Sequence, residues 1–379
     1  MNKTTLRDFS LLIALALLIG YFSFASSGAF LSARNLSNLG VEFAITAVLA
    51  LGVFLVLLPG QTDLSTGSGV GLAGGIAAVL LFKHGWPAPA AMTVATLCSL
   101  LAWASMGWLV VSQRIPAFII TLAGMLVFRG LHWLVIGNET IPVRIGSAEN
   151  LLSVLTTWYL PKPLAWVLVA AVAGWLGWAA LRDRRLRREH QLPLQERDSS
   201  FASWFVSLQL LILLVAILNQ FNGVPLPVLI LGVMAALVQW ISRHTRLGRH
   251  LYAIGGNREA ARLSGIRVER RILTAFLLCG AAVALTGFLQ TAYGGGSTTT
   301  VGTLMELDAI AACVIGGVSL TGGTGRVSGV LFGALLMAVV LNGMTLLAVS
   351  PELKQIARGL VLAVAVWMDI SLARRRAAV

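Results

Sequence analysis

A chain of 379 residues with 57% hydrophobic and only 11% charged residues cannot make an ordinary water-soluble domain, where about a quarter of residues are charged. Its net charge of +13 would suit a nucleic-acid partner, but the basic residues sort by membrane side instead of gathering on one soluble face. Nucleic acid is therefore excluded as a partner, the lipid bilayer takes its place, and the fold class is all-α, a polytopic helical integral membrane protein.

A helix needs about 20 apolar residues to cross a bilayer. Runs of that kind predict spans at 10–29, 41–59, 65–82, 88–111, 115–137, 163–181, 203–219, 225–241, 272–292, 306–320, 327–349 and 355–372. The run 306–320 is short and interrupted by Gly316 and Gly317, and 355–372 contains Arg358, so the expectation is about 10–12 transmembrane helices. With both termini cytoplasmic and the spans alternating, 21 of the 28 lysines and arginines fall inside and five outside. That asymmetry is the positive-inside pattern. The whole chain, 1–379, reads as a single transmembrane domain with a cytoplasmic basic loop at 182–200 and a cytoplasmic loop at 242–271.

In chain order, the first unusual segment is the turn Asp63-Leu-Ser-Thr-Gly-Ser68, followed by Gly67, Gly71 and Gly75 at four-residue spacing. Small residues at that spacing let helix backbones approach closely, within the chain or between two copies. The outer loop 138–162 carries Glu139, Arg144 and Glu149 and is the outer surface long enough to receive a soluble protein. Arg182 to Arg197 has no apolar periodicity and reads as a solvated loop beside anionic lipid heads.

Residues 252–271 form a polar, arginine-rich island between apolar runs. Gly255-Gly256 reads as a break and Asn257 as an N-cap. Residues 258–264 then suit a short helix, with Gly265 at its C′ position. Glu259 and Arg262 share the exposed face, and Ala260 and Ala261 are small enough for another surface to approach. Residue types alone allow a plain surface helix or a docking helix. Farther on, Gly325, Gly329 and Gly333 repeat the four-residue spacing. Ser319-Leu-Thr-Gly-Gly-Thr-Gly325 faintly echoes the Asp63 turn, which hints at an internal repeat.

Enzyme chemistry does not declare itself. The four lysines, Lys3, Lys83, Lys162 and Lys354, follow no glycine loop, so there is no phosphate-binding P-loop; any ATP is expected to be used by another chain, with no cofactor in this one. The five histidines form no metal-ligating cluster, and Cys98, Cys279 and Cys313 lie in apolar runs as expected buried thiols. Ionisable residues at membrane depth are costly and attract a functional reading. They are Glu42, Asp63, Arg129, Glu306, Asp308, Arg358 and Asp369, and an interfacial or capping role is the alternative for each. So little buried charge weighs against a proton-driven carrier and favours a neutral polar solute. Gln61, Thr66, Thr121, Gln290 and Asn342 could hydrogen-bond its hydroxyl groups or simply join helices. Gln61, Asp63, Thr66, Thr121, Glu306, Asp308 and Asn342 are taken as candidate pathway residues.

Tyr252-Ala-Ile-Gly-Gly-Asn-Arg-Glu-Ala-Ala-Arg-Leu-Ser-Gly-Ile266 closely resembles the cytoplasmic coupling loop of monosaccharide ABC importer permeases. Further blocks match in order: Leu31-Ser-Ala-Arg-Asn-Leu-Ser-Asn-Leu39, Asp63-Leu-Ser-Thr-Gly-Ser68, Pro116-Ala-Phe-Ile-Ile-Thr-Leu-Ala-Gly-Met125 with Arg129-Gly130, and Glu306-Leu-Asp through Gly323. The basic segment after 163 and the ending Ala365-Val-Trp-Met-Asp369 look most like the D-xylose permeases. Gln61-Thr62 and Thr66 depart from the usual pattern and bear on substrate identity. The resemblance implies a bacterial inner-membrane permease, itself not an enzyme and most like those for D-xylose. It would work as a homodimer with a cytoplasmic ABC ATPase and a periplasmic sugar-binding protein. The ATPase would grip Gly255, Gly256, Asn257, Glu259, Ala260, Ala261 and Arg262. Another pentose or hexose, a branched-chain amino acid, and a proton-coupled sugar carrier are the alternatives.

Overall fold

The computed structural model describes residues 3–144, 149–191 and 197–377, without the side chains of 3–11, 176, 179, 180, 183, 197–207, 210 and 368–377; the Asp369 side chain thus lies outside the described residues. The helices in chain order are α1 (Lys3–Ala25), α2 (Ala33–Leu57), α3 (Thr66–Phe82), α4 (Ala88–Ser112), α5 (Ala117–Ile136), α6 (Leu151–Thr157), α7 (Lys162–Glu189) and α8 (Arg197–Gln220). They continue as α9 (Leu226–His244), α10 (Arg246–Gly256), α11 (Arg258–Leu263), α12 (Val268–Tyr293), α13 (Met305–Ile315), α14 (Val327–Leu346) and α15 (Pro351–Ala377). Among the described residues, six helices (α2, α4, α5, α9, α12 and α14) are long and apolar enough to cross a membrane. Shorter apolar stretches lie in α1, α3, α7 and α8. The chain is a polytopic helical membrane protein.

α2 is the buried axis. Every side chain from Val48 to Leu58 is shielded, the expected fate of a helix that is apolar on all sides. Around it, α2–α5 and α12–α15 pack as two four-helix units with exchanged neighbours. α12 lies on α3 and α4, while α2 lies on α13 and α14. In each unit the second helix is the short one, packed against the third and fourth. With the seven spans predicted from the sequence between the starts of α2 and α12, the two units would run in opposite directions, the arrangement of an inverted repeat. The two similar turns in the sequence are not its equivalent points. The Asp63 turn precedes α3, whereas Ser319–Gly325 follows α13.

The interrupted run at 306–320 resolves into α13, 11 residues long, or about 16 Å of helix, roughly half of a hydrocarbon core of about 30 Å. The run at 355–372 is continuous within α15. The glycine stripes serve packing inside the chain. Those of α3 face the segment before α13, His132 and Glu306, and Gly329 and Gly333 face α13 itself.

Two expectations need correction. The basic segment is not all loop, because α7 continues through Arg182 to Glu189. Arginine and leucine are good helix formers, and Arg187 and Arg188 complement the negative end of the helix dipole. Cys98 is exposed on the outside of the bundle, while Cys279 and Cys313 are buried. The outer connection after α5 is tied down: Ile141 pairs with Ser297 and Tyr159 with Pro225 in two short antiparallel ladders. Lys83 binds Glu139 at 2.8 Å.

Candidate functional site

One end of the bundle is built around α10 and α11. Thr245 caps α10 by accepting from Gly248 N at 3.2 Å, and Leu247, Leu251 and Ile254 point inward at helical spacing. Gly255-Gly256 is therefore the last turn of a helix and not a break. The two glycines differ. Any Cβ on Gly255 would overlap the Leu58 carbonyl oxygen and the Gly323 nitrogen, whereas one on Gly256 would meet nothing within 4 Å. Tyr252 donates to the Gly325 carbonyl at 2.9 Å. Through these contacts α10 is keyed at once to the end of α2 and to the turn before α14.

α11 stands beyond that joint. Asn257 accepts from Ala260 N at 3.0 Å as its N-cap, and Gly265 ends it at φ 82°, a left-handed conformation suited to glycine. Ala261 is buried. Arg262 is ion-paired to Glu269, so its partner is not Glu259, which is left exposed together with Ala260. Leu263 is 83% exposed, an apolar side chain standing out from a polar helix. Sequence reasoning missed both α10 and Leu263. Thr245 followed by Leu247, Leu251 and Ile254 was the available signal for the first, and the exposed register of a capped helix for the second. A cleft of about 720 Å³ separates α11 from the α4–α5 turn and is lined by Gln61, Thr62, Arg114, Phe118, Glu259 and Arg262.

The remaining pathway candidates do not share one cavity. Asp63 is fully buried. It accepts from Ser65 N at 2.9 Å, Ser65 Oγ at 2.6 Å and Trp103 Nε1 at 2.7 Å. Those bonds hold the turn that starts α3. Thr121 donates to the Thr62 carbonyl at 3.3 Å, and Thr66 is buried beside them. Gln61 looks into the cleft beside α11.

Glu306 packs under Gly67, at a small pocket of about 110 Å³ that also holds Arg129, His132 and Ser68. Asp308 faces the other way, 3.1 Å from Arg358 Nε. Asn342 joins a chain of polar groups: Asn35 donates to it at 2.9 Å, and it donates to Glu42 at 3.1 Å. Tyr293 completes the chain, donating to Glu42 at 3.0 Å. Among the described residues, no group of three or more His, Cys, Asp or Glu could hold a metal ion.

Residues 35–366 match the family described as branched-chain amino acid transport system / permease component. The chain belongs to that family. It is a multi-pass inner-membrane permease, a transport component and not an enzyme. It is 40% identical over 374 residues to the xylose transport system permease protein XylH of Haemophilus influenzae, covering 98% of each chain. Identity to the Escherichia coli K12 protein of the same name is 39% over 378 residues, covering 99% of this chain and 94% of that one. The ribose import permease protein RbsC of Escherichia coli K12 is 34% identical over 370 residues, covering 97% of this chain and 95% of that protein. No solved structure matches the permease.

Proposed function

We propose that this permease is the membrane subunit of an ATP-driven importer of a monosaccharide, D-xylose before other pentoses and hexoses. Two copies form the membrane unit. A periplasmic sugar-binding protein delivers the sugar to the outer face, and a cytoplasmic ABC ATPase binds at α11 and hydrolyses the ATP; this chain needs no cofactor of its own. The observation that carries the reading is full-length identity of 39–40% to permeases named for xylose transport. The exposed Leu263, Ala260 and Glu259 on a capped helix supply a surface of the kind an ATPase can grip. Because Gly255 is wedged between the ends of α2 and the turn before α14, a push on α11 reaches both four-helix units.

A branched-chain amino acid fits the interior less well. A substrate carboxylate is favoured by the positive N-terminus of a discontinuous helix. Here the first turn of α13 carries Glu306 and Asp308, and α3 begins beside Asp63 and Glu306. Neither end is a bare positive helix terminus open to a carboxylate. Uptake of labelled D-xylose, D-ribose and L-leucine by the reconstituted importer tests the substrate class. D-xylose is expected to dominate, and preferential leucine uptake would overturn the reading.

A further inference from the structure

The outer half of the bundle holds a cavity of about 300 Å³ between α2, α12, α13, α14 and α15, at the lower end of the roughly 300–1,000 Å³ typical of small-molecule sites. Its position follows from the helix ends that form it. Gln290 and Tyr293 close the outward-running α12, Thr345 closes α14, and Arg358 sits in the second turn of α15. About half of the lining is polar, between helices whose outward faces are apolar.

Two kinds of polar group line it. Glu42 is satisfied, since it accepts from Tyr293 and Asn342. Asp308 and Arg358 are not. Their side chains are only 6% and 22% exposed and approach to 3.1 Å, yet neither Asp308 Oδ1 nor Arg358 Nε makes an aligned hydrogen bond. A buried ion pair is costly in lipid unless its remaining donors and acceptors are used. Those two atoms are themselves shielded, so it is the remaining carboxylate oxygen and guanidinium nitrogens of these lining residues to which one sugar hydroxyl can donate and from which another can accept.

Resting on the sugar-importer reading, we infer that this cavity is a transit site for a neutral monosaccharide, with Asp308 and Arg358 as its hydroxyl-binding pair and Tyr293 and Thr345 at its mouth. The site holds the sugar after release from the outside and before the inward path opens. Its affinity is modest, because a separate protein captures the sugar.

The test uses the permease with its ATPase and binding protein in proteoliposomes. Losing a hydrogen bond to a charged group corresponds to a drop of about tenfold or more. Asp308→Asn, Arg358→Gln and the double variant are each expected to lower D-xylose uptake by that factor, while loaded binding protein still stimulates ATP hydrolysis. Restoration of uptake by the double variant would mean a merely structural ion pair and would overturn the inference. A second readout keeps the question open to decision if these variants fold poorly. In a Cys98→Ser background, Thr345→Cys is expected to react with a membrane-impermeant thiol reagent, and saturating D-xylose should slow that reaction; unchanged labelling would count against the site. A wild-type importer that takes up no D-xylose defeats the sugar reading itself. Normal wild-type uptake with a restored double variant defeats this site alone.

Discussion

At the residue scale, Gly255 and Asp63 carry opposite lessons about how a polar or small residue is used. Gly255 has no room for a side chain, because backbone from two separate segments closes over it. Gly255→Val should therefore destabilise the folded permease by about 3 kcal/mol, the upper range for overpacking, whereas Gly256→Val should melt like wild type in detergent. Since Gly256 faces open space, its valine variant instead probes the proposed docking, and ATP hydrolysis should run uncoupled from uptake. Equal melting temperatures for the two variants would contradict the wedge. Asp63 was readable as an ionisable group at a glycine-rich break, but its partner Trp103 lies 40 positions away. No local pattern announces such a pair. Asp63→Ala would strand the Trp103 N–H and the Ser65 groups, at a cost on the order of 3 kcal/mol. Asp63→Asn keeps an acceptor, so thermal unfolding of this variant should lie nearer to wild type.

At the scale of elements, α11 was legible because its signals are local: an Asn cap and a glycine stop within nine residues. α10 was obscured by the two glycines at its end, although its apolar register was present. The half-length of α13 also showed through as an interrupted run. Leu263→Asp on α11 should leave melting unchanged yet reduce ATPase-dependent uptake about tenfold, as expected when a well-packed interface contact is lost. Co-purification of the ATPase with the variant at wild-type yield would argue against docking there. On the outer face, Lys83 donates to Glu139 and holds its carboxyl below the ordinary value of 4.5. A depressed carboxylate contributes stability that is present above the unfolded value and lost as pH falls through the folded one. The tie beside Ile141–Pro142 should thus be unaffected between about pH 8 and 5 and open only in stronger acid. Hydrogen exchange at 138–144, corrected for its intrinsic pH dependence, checks this, and an opening near neutral pH would refute it.

At the scale of the whole molecule, composition and span lengths were enough to read a polytopic helical protein. The exchange of neighbours between α2–α5 and α12–α15 was not, because the two halves share packing positions and not a recognisable motif. That exchange matters for transport. In the proposed mechanism a joint at Gly255, touching the end of α2 and the approach to α14, tilts the two units against each other, while the outer cavity lies between α2 and the second unit. Import in that mechanism is powered through this joint by a separate ATPase. Labelled D-xylose uptake in proteoliposomes tests it most directly: uptake should require ATP, the ATPase and the loaded binding protein together. Accumulation driven by a proton gradient in their absence would contradict it.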